Sequence, residues 1–136
     1  MKIFLSIKYH PDYHNRDLIE AIAQALQPHR VVCIARDIEQ WGKKKFDSAE
    51  LMQRTFEEID SSDIVVVELS EKGVGVGIEA GYARAKGKSI ITVARRGSDI
   101  SQTLRGISKD VFIYQDANEL KKFFGTLMTQ INAEAR

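Results

Sequence analysis

A chain of 136 residues, 43% hydrophobic and 29% charged, is long enough for one core and too short for two. With a formal net charge of +1, nothing points to the positive track that a nucleic-acid polymer requires. No apolar run approaches the roughly 18 residues of a membrane span, and the opening "MKIFLSIKYHPDYH" turns polar too early for a signal peptide. One domain, 1–136, located in the cytoplasm and without a membrane partner, is the expectation.

The first predicted strand is Lys2–Ile7. Leu18, Ile22 and Leu26 then recur at helical spacing, and Pro28 ends that helix. A second strand is predicted over Arg30–Ala35. It holds the single cysteine, Cys33, which has no disulfide partner and reads as core within "VVCIA". After the polar stretch "EQWGKKKFDS", Met52, Phe56 and Ile59 mark a second helix. The third strand, Asp63–Leu69, carries "IVVVEL" without alternation and so belongs at the centre of a sheet. A glycine-bearing loop leads to a third helix, from about Ile78 to Lys86, closed by Gly87. Strands at Ser89–Ala94 and Val111–Tyr114 follow. The last helix opens with Asp116 and Glu119 at capping-box spacing and turns Leu120, Phe123, Phe124, Leu127 and Ile131 inward.

Alternating strands and helices with nearly continuous apolar strands predict a parallel sheet covered on both faces. Right-handed crossovers narrow this to a five-stranded, doubly wound, three-layer α/β sandwich, flavodoxin-like or Rossmann-like. Ligands of such sheets sit at the carboxyl ends of the strands, where strand order reverses. The segments at that edge are "SIKYHPDYHN", "ARDIEQWGKKKFDS", "SEKGVGVG" and "RRGSDISQTLRG".

Gly73, Gly75 and Gly77 alternate with Val74 and Val76 just before the third helix. Such a loop suits phosphate, because glycine lets a ligand approach the backbone and a helix start favours anions. Tight turning and close packing explain the glycines equally well, since the lysine-plus-hydroxyl ending of a P-loop is missing. Glu79 follows at the expected helix start. As a first-turn acid it would stabilise the helix dipole by roughly 0.3–1 kcal/mol. Placed at the ligand edge and kept ionised there, it is also a competent nucleophile toward a sugar's anomeric carbon.

Other residues read more plainly. Asp63 opens a strand far from the ligand edge and is expected to cap or pair locally. Glu68 faces the cleft and is assigned either to the glycine loop or to a ribose hydroxyl. His10 and His14 share a metal-like spacing with no Cys or further His beside them, so they read as exposed loop histidines. Trp41 with Lys43, Lys44 and Lys45 reads as a solvated loop with one anchoring aromatic. Arg95, Arg96 and Arg105 lie where they can complement an anion or remain solvated.

The stretch "SDIVVVELSEKGVGVGIEAGYARAKGKSII" resembles the nucleoside 2-deoxyribosyltransferases and the related Rcl-type deoxynucleoside 5′-monophosphate N-glycosidases. Asp63 matches the aspartate that opens the family's third strand, "IEAGYA" matches "xELGxA", and Gly87-Lys88 matches the turn before the next strand. The resemblance implies that Glu79 is the catalytic nucleophile. "FLSIK" is similar to the family's "FCGSIR", which implies Ser6 and Lys8 near the phosphate or sugar. "SQTLRG" resembles the segment whose serine reaches the 5′-phosphate in a neighbouring subunit's site, a role implied for Ser101. Gly73, Gly75 and Gly77 would hold the sugar edge.

Two matched positions differ. The family's helix aspartate, eight residues before Asp63, is here Thr55, which faces inward with Leu51 and Ile59. Threonine is no general acid at neutral pH, so help at the leaving base falls to Glu57, Glu58, Asp60, water or substrate. The orienting tyrosine of the first strand is here Ile3, with Tyr9 or Tyr13 as substitutes, and Leu5 stands where the family has glycine. The implied activity is cleavage of the N-glycosidic bond of a nucleoside or nucleoside 5′-monophosphate, by hydrolysis or base exchange. It needs no metal or organic cofactor, and the family's shared sites imply a homodimer or larger homo-oligomer. The alternative is a non-catalytic nucleotide-binding module using the same cleft.

Overall fold

The computed structural model describes residues 1–134. Five parallel strands form one sheet: β1 (Lys2–Ile7), β2 (Arg30–Val32), β3 (Ile64–Glu68), β4 (Ser89–Arg95) and β5 (Asp110–Tyr114). Their order is β2-β1-β3-β4-β5, the flavodoxin-like arrangement. The helices between and after them are α1 (Arg16–Ala25), α2 (Ser48–Asp60), α3 (Val74–Ala85), α4 (Gln102–Ile107) and α5 (Ala117–Glu134).

The two-residue period of each strand divides its side chains between two cores. Ile3, Leu5, Val66, Ile91 and Val93 pack under α1 and α5, against Ile19, Ile22, Leu120 and Phe124. Phe4, Val65, Val67, Ile90 and Ala94 pack on the other face, against Ile59 of α2, Val76, Ala80 and Ala83 of α3, and Leu104 of α4. All five residues of β3 are buried, as its unbroken apolar run requires of a central strand. Burying each Val or Ile there contributes about 1.5–3 kcal/mol. At the last helix Asp116 Oδ1 accepts the Glu119 N–H at 2.9 Å, the first half of the predicted box, while Glu119 Oε2 accepts the N–H of Gln115, one residue before the cap, at 2.6 Å.

Strand order reverses between β1 and β3, which pair in register from Ile3↔Ile64 to Ile7↔Glu68. The loops beyond their carboxyl ends therefore diverge and leave a crevice. Glu68, 1% exposed, closes the β3 end of that edge. Its carboxylate accepts the Ser70 N–H at 2.7 Å and the Ser70 hydroxyl at 2.8 Å, and it also accepts the Tyr114 hydroxyl. Ser70 Oγ in turn accepts the Arg95 N–H at 2.8 Å, so one network ties the ends of β3, β4 and β5.

Two expectations are corrected, and one helix is added. The second strand stops at Val32 rather than Ala35, because the chain winds into a π-helical turn over Ile34–Ile38 in which the Glu39 N–H reaches Ile34 O at 2.8 Å. Two side-chain bonds divert it: Asp37 Oδ2 accepts the Cys33 N–H at 2.8 Å, and Arg36 donates to Val31 O at 2.8 Å. The third helix starts at Val74, not Ile78, so Gly75 and Gly77 lie inside its first turns rather than in a loop. Each glycine costs up to about 1 kcal/mol of helix propensity, which the burial of Val76, Ala80 and Ala83 offsets. A short helix that the sequence pattern does not predict, α4, lies between β4 and β5, with Ser101 at its N-cap. No helix among the described residues is long and apolar enough to cross a membrane.

Candidate active site

A cavity of about 410 Å³ opens at the switch point of the sheet. β1 and the turn after it contribute Leu5, Ile7, Lys8, Tyr9 and His10, and α2 contributes Leu51, Met52 and Thr55. The π-helical segment adds Ile34 and Glu39, and α3 adds Gly75 and Glu79. The lining is thus apolar and aromatic with two carboxylates, the composition of a site that holds a flat, partly polar ligand.

Glu79 lies in the second turn of α3, beyond the free N–H groups of the helix start. That position overturns both helix-start expectations, the dipole-stabilising first-turn acid and the carboxylate kept ionised by a helix end. Burial instead pushes its carboxyl up to about 7, against a lowering hydrogen bond from Ser6. The Ser6 hydroxyl donates to Glu79 Oε1 at 2.6 Å. Ser6 is itself fully buried on β1, so the sheet fixes one carboxylate oxygen of a side chain that lines the cavity. A carboxyl poised near neutrality, oriented by one bond, can serve as a base, an acid or a nucleophile.

The remaining site residues divide by position. Lys8 lines the cavity, but its ammonium donates to Lys72 O at 3.0 Å, and its stem lies 3.5 Å from where a Cβ on Gly73 would stand. Gly75 lines the cavity, and a Cβ built on Gly75 or Gly77 meets no atom within 4 Å. Open space rather than left-handed backbone is what these two glycines supply. Ser101 lies outside this cavity, its hydroxyl 2.6 Å from Thr103 Oγ1. Thr55 faces inward as its spacing predicts, 1% exposed, and its hydroxyl donates to Leu51 O at 2.8 Å. Glu57, Glu58 and Asp60 do not line the cavity, and Glu58 pairs with Lys2 at 2.7 Å.

Asp63 caps locally, as read: its Oδ2 accepts the Lys2 N–H at 2.8 Å. Trp41 is the anchored aromatic of its loop, edge-on to Tyr13 at 5.9 Å and 4.6 Å from the Arg16 guanidinium. Cys33 reaches the cavity wall, yet burial pushes its thiol up to about 12, which keeps it unreactive. Glu39 is the acid that sequence reading passed over. Burial raises its carboxyl, and its carbonyl accepts N–H groups from Gly42 and Lys44, both at 3.0 Å. Gln40 and Trp41 take left-handed φ values of 50 and 58 to make that turn. No sequence pattern marks it, because a π-helical turn has no periodic signature.

Fold and site together define a doubly wound α/β protein with a ligand-sized cavity at the switch point of its sheet. The nucleoside 2-deoxyribosyltransferase family pattern matches residues 6–128. A Thermofilum pendens protein assigned as 2′-deoxynucleoside 5′-phosphate N-hydrolase 1 is 27% identical over 131 residues, covering 88% of this chain and 89% of that protein. The 5-hydroxymethyl-dUMP N-hydrolase of Danio rerio is 33% identical over 95 residues, 63% of this chain and 66% of the relative. The 2-deoxyribosyltransferase of Bacillus psychrosaccharolyticus shares the fold at a TM-score of 0.69 and 18% identity, with 89% of this chain and 90% of that one covered. The chain belongs to the nucleoside 2-deoxyribosyltransferase family.

Proposed function

We propose that this enzyme cleaves the N-glycosidic bond of a nucleoside or nucleoside 5′-monophosphate, with Glu79 as nucleophile. The observation that carries the reading is Glu79 itself, held by Ser6 at 2.6 Å and lining the switch-point cavity. In the first step a carboxylate oxygen of Glu79 bonds to C1′ as the C1′–N bond breaks. The electron pair leaves on the base nitrogen, which takes a proton from water. In the second step water attacks C1′ and loses a proton, freeing the carboxylate and giving hydrolysis. A second base as acceptor gives transfer instead.

The apolar and aromatic wall, with Tyr9, Tyr13 and Met52, receives the base, and Glu39 offers an acceptor for its N–H groups. Gly75 leaves room for the sugar edge, and Lys8 stands beside the 5′-position. The hydroxyl of Ser6 is committed to Glu79, so Ser6 acts as a positioning residue in the role the family gives to a tyrosine. The reading includes a homo-oligomer, since Ser101 lies outside its own chain's cavity and Val74 and Ile78 of α3 stand 83% and 47% exposed.

Incubation with a panel of nucleosides and 5′-monophosphates, followed by detection of free base, tests the reading. Release of base supports it. Thr55 in place of an acid favours the second reading, a nucleotide-binding module, which stands if no base appears while a nucleotide raises the melting temperature. Ser6→Ala is expected to lower kcat about tenfold, the worth of a hydrogen bond to a charged group. Because the Ser6 bond lowers the Glu79 pKa, its loss should also move the acid limb of the pH–rate profile to higher pH. A merely structural role for Ser6 would leave that limb in place.

A further inference from the structure

Outside the chemistry just described, the fold brings together three side chains that are far apart in sequence. His10 and His14 sit in the turn after β1, and Glu71 sits in the turn after β3. One ligand atom from each lies within 4.8 Å of the others. His10 Nε2 is 3.2 Å from Glu71 Oε1, and the two imidazole rings lie tilted by 42° with centroids 3.9 Å apart. A fourth group completes the arrangement: Asp12 Oδ1 lies 2.8 Å from His14 Nδ1. That bond engages Nδ1 and leaves Nε2 of His14 available, the arrangement of the carboxylate–histidine pairs that support many metal ligands.

We propose that His10, His14 and Glu71 form a binding site for one divalent transition ion of the zinc, nickel or cobalt type, with Asp12 orienting His14. Two imidazoles and one carboxylate suit these borderline ions, whereas magnesium and calcium demand an all-oxygen set. His14 and Glu71 have side chains 56% and 54% exposed, so an ion can enter and the rotamers can close on it. His10, expected as an exposed loop histidine, is instead 12% exposed in its side chain and lines the cavity. A bound ion would therefore cross-link the turn after β1, which lines the cavity, to the turn after β3, without taking part in bond cleavage.

The test is direct binding to the full chain after chelator treatment and dialysis. Titration with Zn²⁺ or Ni²⁺ by calorimetry is expected to show one saturable ion per chain, with a raised melting temperature; Mg²⁺ at the same concentration should give neither. His14→Gln and Glu71→Gln alter exposed side chains and are expected to fold, as circular dichroism would verify, and to bind at least about tenfold more weakly. Asp12→Asn should weaken binding about tenfold through loss of the orienting bond. His29→Gln, which alters the histidine beside the N-terminal amine, should bind as the parent does. No saturable binding, unchanged affinity in His14→Gln and Glu71→Gln, or loss of binding in His29→Gln would each overturn the assignment.

Discussion

Glu79→Gln is expected to lower kcat/KM for base release by about 10³-fold or more, because loss of a nucleophile removes the covalent route altogether. The amide keeps the shape of the carboxylate and can still accept the Ser6 hydroxyl bond, so the packing around α3 is preserved. What it cannot do is form an ester to C1′. The same variant carries a stability signature. The folded-state pKa of Glu79 is raised from 4.5 to about 7, so the native protein binds more protons than the unfolded chain between those values. Wild-type stability therefore falls as pH rises through that window and levels off above about 7. Glu79→Gln lacks this slope. It should melt higher than wild type at pH 8, by roughly 10 °C, with the difference vanishing near pH 4.5. Thermal melts at the two pH values check this independently of activity.

The second large effect is on rate against pH. A nucleophile must be ionised, so kcat/KM should rise about tenfold per pH unit below 7 and reach a plateau above it. Between pH 5 and 8 the gain is on the order of 100-fold. A nucleoside without groups that titrate in that range keeps the limb attributable to the protein. The slope distinguishes two roles that geometry alone allows. A protonated Glu79 donating to the leaving base would give the opposite profile, fastest at pH 5 and falling through 7. Thr55, occupying the place of the family's helix acid, supplies no titrating group of its own near neutrality, and its hydroxyl is spent on Leu51 O.

Much of the fold was legible because hydrophobic periodicity records burial. β1 matches its predicted bounds, β3 loses only a residue at each end, and the inward residues of α5 fall where the spacing puts them. The failures have local physical causes. "VVCIA" has strand propensity throughout, but Asp37 and Arg36 bind the backbone of Cys33 and Val31 and turn the chain early. The glycines before Glu79 suggest a loop by propensity, yet the pull of Val76, Ala80 and Ala83 into the core makes them helix. α4 buries only Leu104 and carries Gly106, too little pattern to announce itself.

The site was legible in part for a different reason. Glu79 could be singled out by its neighbours in the chain and by its place after a central strand, and Thr55 by its phase with Ile59. The Ser6–Glu79 bond joins residues 73 positions apart through the pairing of β1 with β3, and no local pattern records it. The helix start fell four residues before the expected one, which turned an expected first-turn carboxylate, kept ionised, into a buried one whose pKa is raised. Glu39 and the proximity of Glu71 to His10 depend likewise on turns whose course only the assembled sheet decides.

The most direct measurement is to mix the enzyme with a substrate found in the panel, quench in acid within a turnover, digest, and weigh the peptide that carries Glu79. The expected result is the mass of the sugar on that peptide in wild type and its absence in Glu79→Gln, with base release lost in the variant. Base released by Glu79→Gln at the wild-type rate would contradict the central claim.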